Sequence, residues 1–144
     1  MATKKLLTAV FALSIVFSAC KKDDDAPTCA LNATNIVGTY KISKVETIAG
    51  GTTIDVTASF LDNCTASGLY KLNSDNTLQY TELPSCSGNG TGTWNLTDGK
   101  LSVIQTGGGF ELVNATVVDF NCSGMSVDIV STPGSSIRFS FARQ

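Results

Sequence analysis

The 144-residue sequence contains no histidine, only three prolines and a single tryptophan. Histidine is the most frequent general base in enzymes, so its absence removes the commonest hydrolytic constellations. No serine lies in a Gly-x-Ser-x-Gly elbow, and residues 107–109 (GGG) lack the Lys-Ser/Thr pair of a phosphate loop. Two carboxylates can hydrolyse a glycoside, but we expect Glu82 at solvent or at a barrel rim. The sequence therefore predicts a protein that is not an enzyme and needs no cofactor.

Charged residues are also scarce, at 15% of the chain, and the formal net charge is −2. Without residues 1–20, 8 basic residues remain against 12 acidic ones, which gives a net charge of −4. A mildly acidic chain without a basic stripe binds phosphate backbones poorly. We therefore expect no nucleic-acid partner.

The first twenty residues are typical of a targeting segment. Lys4 and Lys5 precede an apolar run at residues 6–17, which ends in Ser18-Ala19-Cys20. The run is too short to span a bilayer and indicates a secretory signal. Ser-Ala-Cys resembles the lipobox of bacterial lipoproteins, whose cysteine becomes the lipidated N-terminus, although Phe17 replaces the usual leucine. The alternative is an ordinary signal peptide that is cut near Ala19.

These features predict three regions: a signal peptide at residues 1–19, a charged tether at residues 20–29 and one globular domain at residues 30–144. The lipid would be attached at Cys20. The Lys-Asp-Asp run at residues 22–24 resembles the export signal of some surface lipoproteins, and a plain linker is the alternative. We expect the protein in the cell envelope, anchored by its acylated N-terminus to the outer membrane, and either periplasmic or surface-exposed.

Residues 64–86 contain the pattern that organises the predicted fold. A turn at residues 74–76 sets like against like on one face of a hairpin: Leu72 with Leu78, Tyr70 with Tyr80, and Cys64 with Cys86. Cross-strand pairs of this kind stabilise a sheet. Asn76 tolerates the left-handed backbone that a three-residue loop needs. Opposed Cα atoms in an antiparallel pair lie ~4.5–5.5 Å apart, within reach of a disulfide.

The exported part of the chain has four cysteines: Cys29, Cys64, Cys86 and Cys122. An even number in an exported protein indicates two disulfides, with three possible connectivities. The hairpin register selects Cys64–Cys86, and elimination leaves Cys29–Cys122. A metal site is the alternative, but the wide spacings and the absence of histidine argue against one.

Short alternating segments fill residues 30–144, separated by turn residues every 8–12 positions, as is typical of an all-β sandwich or barrel. We expect at most one short helical turn, near residues 58–63, and a bulge near Ser43-Lys44. The last strand is apolar on one side, so it should not be left as a bare edge. Pairing it with the first strand would close a barrel.

Two tight turns and one loop set further pairs. Asp98-Gly99 is a favoured type I′ turn, and Ser123-Gly124 is a second two-residue turn. A two-residue loop at residues 133–134 would set Phe139 against Asp128 and mix faces, so we predict an odd-length loop there. The predicted pairs are Leu96–Leu101, Trp94–Val103, Leu112–Val103 and Phe120–Val127.

Three stretches resemble the lipocalin-like domains of bacterial lipoproteins. Residues 36–41 (IVGTYK) resemble the Gly-x-Trp opening of lipocalins, residues 69–78 (LYKLNSDNTL) resemble the yxFxxDGTY hairpin, and residues 91–96 (TGTWNL) resemble the GTWxL strand. Tyr40 replaces the family's tryptophan, and Asn76 replaces its glycine. The resemblance implies a single antiparallel meander barrel of eight or nine strands and a disulfide between Cys64 and Cys86. It implies no particular ligand.

The predicted interior allows two functions. A barrel of eight strands can be packed by side chains or can hold one small ligand, and buried Tyr and Trp tips need hydrogen-bond partners. The first hypothesis is a binding module for a small apolar or amphipathic compound. The second is a packed structural or interaction domain without a ligand. The residues predicted to line the interior are Tyr40, Ile42, Tyr70, Leu72, Leu78, Tyr80, Trp94, Leu101 and Val103.

Overall fold

A computed structural model describes residues 29–144, so the predicted signal peptide, Cys20 and the tether up to residue 28 lie outside the described residues. Within residues 29–144, no helix has the length and apolar character needed to cross a bilayer. The elements are β1 (Gly38–Ala49), β2 (Thr52–Asp55), α1 (Thr57–Phe60), α2 (Asn63–Ser67), β3 (Leu69–Leu72), β4 (Thr77–Thr81), β5 (Gly90–Thr97), β6 (Lys100–Gln105), β7 (Glu111–Asn121), β8 (Gly124–Thr132) and β9 (Ser135–Arg143).

Eight of the nine strands form a closed ring, and all of the pairings are antiparallel. Strands β1 and β3 to β9 follow one another, and β9 pairs back with β1, which confirms the predicted all-β barrel and its closure. The register between β1 and β9 shifts between Ile42 and Lys44, where a bulge is predicted. Closing the sheet leaves no long apolar edge exposed.

Strand β2 departs from a simple meander, because it pairs only with the second half of β1, whose first half pairs with β3. The chain must therefore return from β2 to the start of β3. It does so through two short helices, where the sequence predicts at most one helical turn. Asp62 starts the second helix, since its side chain accepts a hydrogen bond from the Thr65 amide at 2.7 Å.

The β3–β4 hairpin has the predicted register. Tyr70 pairs with Tyr80 and Leu72 with Leu78, and Asn76 adopts a left-handed backbone with φ of 67°. The predicted disulfide Cys64–Cys86 is present. However, Cys64 lies in α2 and Cys86 in a turn, so the bond does not join opposed strand residues. The helix cap at Asp62 favours helix over a longer β3, and the disulfide ties that helix to the loop after β4.

The register between β7 and β8 differs from the prediction by two residues at Phe120, because the two-residue turn consists of Cys122 and Ser123 and not of Ser123 and Gly124. Phe120 pairs with Met125, whereas Val127 pairs with Val117. A bulge between Val117 and Asp119 then shifts the register by one further residue. The apolar side chains of β8 still face the core, because a bulge re-aims one strand without moving its partner.

The loop between β8 and β9 has two residues, Pro133 and Gly134, so the predicted odd-length loop is wrong. A register shift between Val130 and Thr132, and not an odd-length loop, sets the apolar residues of β8 opposite those of β9. Val127 consequently pairs with Phe139, and Asp128 pairs with Arg138. The other predicted pairs of β5, β6 and β7 are confirmed.

The ring has two ends, which we call the base and the mouth. The base carries the turns at residues 73–76, 98–99 and 122–123, together with residues 29–37, which the disulfide Cys29–Cys122 holds in place. The mouth carries the turn at residues 50–51, both helices and the loops at residues 82–89, 106–110 and 133–134. The chain therefore enters the barrel at the base, opposite the mouth.

Candidate functional site

Apolar side chains fill the barrel interior. All nine residues predicted to line it are buried, with exposed fractions of 5% or less. Five of them surround a cavity of about 10 Å³, together with Phe110 and residues of β7 to β9. That space is about the size of one water molecule. The five are Tyr40, Tyr70, Leu72, Leu101 and Val103, whereas Ile42, Leu78 and Trp94 pack elsewhere in the core.

One buried aromatic residue differs from the others in the hydrogen bonding of its polar group. The Tyr40 hydroxyl donates to the Ile36 carbonyl at 2.9 Å, and the Trp94 indole N–H donates to the Asn73 carbonyl at 2.9 Å. Tyr80 donates to Glu82, as described below. The Tyr70 hydroxyl is buried and makes no hydrogen bond of good geometry, although it lies close enough to the Tyr80 hydroxyl for each phenol to influence the pKa of the other. Because an unpartnered buried polar group is rare in folded proteins, Tyr70 requires an explanation.

A pocket of about 300 Å³ lies at the mouth, beside Tyr70. The ring of Tyr70 lies 4.7 Å from that of Tyr80 and 5.1 Å from that of Phe110, measured between centroids. Thr65, Glu82, Gln105 and the glycines of two loops complete the pocket. A volume of this size is at the lower end for small-molecule sites, which are mostly apolar with a few placed polar groups.

Gln105 supplies a second unpartnered atom in the same pocket. Its amide nitrogen donates to the Gly88 carbonyl at 3.1 Å. This bond fixes the orientation of the amide, because the reversed amide would set two oxygens against each other. The Gln105 Oε1 is buried and accepts no hydrogen bond. Within residues 29–144, these two atoms are the only buried side-chain polar atoms without a partner, and both residues line the mouth pocket.

Glu82 organises the loop that forms one side of the mouth, consistent with the rim position expected for it. One carboxylate oxygen accepts from the Tyr80 hydroxyl at 2.7 Å, and the other accepts from the Gly88 amide at 2.8 Å. A Cβ at Gly88 would lie 2.5 Å from both carboxylate oxygens, so any other residue there would displace the carboxylate. The Glu82 amide also donates to the Asn89 side chain at 2.7 Å. The carboxylate is therefore held in one place.

One cluster of potential metal ligands at the mouth includes both cysteines of a disulfide. Cys64, Glu82 and Cys86 are the only group of three potential metal ligands that lie together in the part of the chain that the structure describes. Both sulfurs are joined in the disulfide, so neither is available as a thiolate ligand. The cluster is therefore a covalent brace for the loop after β4.

Both mouth tyrosines keep their hydroxyl protons at neutral pH, and their pKa values are raised. Burial raises the pKa of Tyr70 to about 12. Burial, and then the hydrogen bond to Glu82, raise the pKa of Tyr80 above its ordinary value. No lysine or arginine lines this pocket among the described residues. The mouth thus combines two neutral phenols, the Thr65 hydroxyl, one amide and one carboxylate.

Sequence reasoning identified Tyr70 and Tyr80 but missed Phe110 and Gln105. Phe110 follows three glycines, all with positive φ, which turn the chain so that the phenylalanine ring enters the mouth. The ring lies 5.4 Å from that of Phe139 and also contacts Tyr70. The run of glycines directly before an aromatic residue was the available signal. No sequence signal marked Gln105, since it only completes the pocket when β5 and β6 pair.

Residues 36–125 match the sequence model of a protein family described as a lipocalin-like domain. The matched stretch covers more than half of the chain and extends from the entry into β1 to the start of β8. It includes every residue of the mouth pocket described above. No curated protein and no solved structure matches the chain.

Proposed function

Since the chain belongs to the lipocalin-like domain family, we propose that it is a non-enzymatic module that binds a small amphipathic molecule at the mouth of its barrel. The observation that carries this proposal is Tyr70, which is 3% exposed and has an unpartnered hydroxyl beside the mouth pocket. Leaving such a group unpaired costs about 1–3 kcal/mol of stability. A ligand that bonds to the hydroxyl recovers this free energy.

The packed interior changes the role of the other predicted lining residues. A cavity of about 10 Å³ leaves no room for a ligand beside Leu72, Leu101 or Val103. In the proposal, Tyr70 and Tyr80 contact the ligand, and the residues beneath them form a rigid floor. Two larger surface depressions, of about 480 and 380 Å³, carry no unpartnered buried polar atom of the described chain. The mouth is therefore the favoured site.

A second candidate function is a packed interaction domain without a small ligand. The filled interior favours it, as do apolar side chains on the outer surface. Val130 is 72% exposed, Ile54 58% and Val113 53%. Scattered exposed apolar residues are common in soluble proteins, however. The unpartnered atoms of the mouth remain unexplained by this alternative.

We also propose that the module is anchored to the outer membrane through an acylated Cys20, facing either the periplasm or the outside. The basic and apolar run before Cys20 supports this, and so do two disulfides, which persist in oxidising compartments. The tether would join the barrel at its base, next to Cys29. The mouth would then lie at the end of the domain opposite the lipid.

Mass spectrometry of the protein from native membranes tests the anchor. We expect the mass of an acylated chain that begins at Cys20 and contains two disulfides. A soluble, unacylated chain that begins after Ala19 contradicts the anchor and leaves the mouth proposal standing.

Nuclear magnetic resonance of the full chain in phosphatidylcholine nanodiscs tests binding at the mouth. Ring-labelled tyrosine reports Tyr70 and Tyr80, and the single tryptophan, whose indole N–H is bonded at the base, serves as the reference. We expect benzamide to shift both mouth tyrosines saturably and to leave Trp94 unmoved, with empty nanodiscs as the blank. If benzamide moves neither tyrosine, and benzyl alcohol, benzylamine and benzoate do not either, binding at the mouth is wrong.

A further inference from the structure

The polar atoms of the mouth that remain free to contact a ligand are mainly hydrogen-bond acceptors. We propose that the mouth selects ligands whose polar end donates hydrogen bonds, such as a primary amide, an alcohol or an amine, and that it rejects carboxylates. The inference rests on the proposed binding at the mouth and adds the chemical class of the ligand. It follows from which donors and acceptors remain free once the contacts within the protein are made.

The first step is the free acceptor on Gln105. The Gly88 carbonyl holds the amide nitrogen of Gln105, so the amide cannot rotate to present an N–H in place of its oxygen. The buried Oε1 therefore remains an acceptor without a donor. A ligand that donates a hydrogen bond to this atom satisfies it, whereas a carboxylate offers only further acceptors.

The second step is the charge of the pocket. Glu82 is its only ionisable acidic residue, and within residues 29–144 no lysine or arginine lines it. A ligand carboxylate would therefore lie near another carboxylate without a cation to offset the repulsion. Like charges in a partly buried site repel strongly because the effective dielectric constant is low. An amine or a neutral donor meets no such repulsion.

The third step is the remaining phenol. The Tyr80 hydroxyl already donates to Glu82, so it offers a ligand only its lone pairs. The hydroxyls of Tyr70 and Thr65, which also line the pocket, can each donate or accept, so the preference for a donor rests on Gln105 and on the charge of Glu82. Tyr70 can thus receive a hydrogen bond from the ligand or donate one to a ligand oxygen. A primary amide matches this set, since its N–H groups meet Gln105 and its oxygen meets Tyr70.

The apolar end of the ligand is set by the three aromatic rings. Tyr70, Tyr80 and Phe110 surround the pocket with centroid separations of 4.7 and 5.1 Å about Tyr70. Aromatic pairs at such distances favour stacked or edge-to-face contacts. Since a cavity of about 150 Å³ holds benzene, the mouth has room for a single-ring compound with a short polar group.

Four probes that share one ring test the head-group selectivity: benzamide, benzyl alcohol, benzylamine and benzoate. Each is titrated into the full chain in phosphatidylcholine nanodiscs, and the shifts of Tyr70 and Tyr80 give the dissociation constants. We expect each of the three donors to bind at least about tenfold more tightly than benzoate, a ratio that corresponds to ~1.4 kcal/mol.

The variant Tyr70→Phe provides the matched control, because the hydroxyl it removes has no partner in the protein. We expect it to weaken benzamide about fivefold, the effect of one neutral hydrogen bond. Tyr80 reports binding in this variant.

Three outcomes overturn the inference. If benzoate binds as tightly as benzamide, the selectivity is wrong and binding at the mouth still stands. If Tyr70→Phe leaves benzamide binding unchanged, the role given to Tyr70 is wrong. If none of the four probes binds at the mouth, both the inference and the proposed function are wrong.

Discussion

The two ends of the barrel treat their polar groups differently. At the base, the Tyr40 hydroxyl and the Trp94 indole both donate to backbone carbonyls. The Arg143 guanidinium lies 5.8 Å from the centre of the Tyr40 ring and donates to two carbonyls of the segment before β1. At the mouth, Tyr70 and Gln105 each keep a buried polar atom without a partner.

This difference accords with the proposal that the base serves stability and the mouth serves binding. Paired polar groups and a full core stabilise the folded state, whereas unpartnered buried polar groups destabilise it. Proteins carry such losses mainly at functional sites, where a ligand completes the contacts. The predictions below compare a change at the base with its counterpart at the mouth.

The two disulfides give the largest expected effect. Cys29–Cys122 closes a loop with a sequence separation of 93, and Cys64–Cys86 closes one of 22. Loop entropy predicts that replacing the base pair by serines lowers the free energy of unfolding by about 4.5 kcal/mol, against about 3.5 kcal/mol for the mouth pair. Urea unfolding of the full chain measures both. A larger loss from the mouth pair would contradict the assignment of stability to the base.

Apolar truncation gives the next effect. Ile36, at the base, is fully buried, whereas Phe110, at the mouth, is only partly buried. Ile36→Ala should therefore cost about 3 kcal/mol and Phe110→Ala about 2 kcal/mol. Because Phe110 lines the small interior cavity, its removal should also let benzene raise the melting temperature of that variant. Equal losses, with no response to benzene in Phe110→Ala, would remove this distinction between the ends.

High pH should weaken the fold through Tyr70. Its pKa is raised to about 12 in the folded protein from an ordinary value of 10. Above pH 10 the unfolded chain releases this proton while the folded chain keeps it, so stability falls as the pH rises towards 12. Near pH 12 the loss from this group is about 2 kcal/mol. Urea unfolding at pH 8 and pH 11.5 should show a smaller fall for Tyr70→Phe, and an identical fall would contradict the burial of the phenol.

Side-chain alternation was enough to predict the hairpins of this barrel. Tyr70 opposite Tyr80 and Trp94 opposite Val103 follow from a period of two about a recognisable turn. Bulges were harder to place, because one extra residue leaves no mark in composition. The register of Phe120 was wrong for another reason, since the two-residue turn lies at Cys122-Ser123, one position before the predicted Ser123-Gly124. The location of Cys64 was wrong because the local helix cap at Asp62 outweighed the strand pattern.

The mouth could be predicted only in part. Tyr70 and Tyr80 lie on one hairpin, so their shared face is visible in the sequence. Gln105 and Gly88 lie on separate segments that meet only when β5 pairs with β4 and β6. The unpartnered state of Tyr70 is likewise a property of the whole fold, since it depends on what every neighbouring segment fails to supply.

The most direct test of the account compares Tyr40→Phe with Tyr70→Phe in urea unfolding of the full chain at pH 8. Each variant removes one hydroxyl from a buried tyrosine of the same barrel. We predict that Tyr40→Phe lowers the free energy of unfolding by about 1 kcal/mol, because its bond to Ile36 is lost. Tyr70→Phe should leave that free energy unchanged or raise it by about 1 kcal/mol, because an unpartnered group is removed. If both variants lose the same free energy, the Tyr70 hydroxyl has a partner within the protein, and the observation that carries the proposed binding at the mouth is lost.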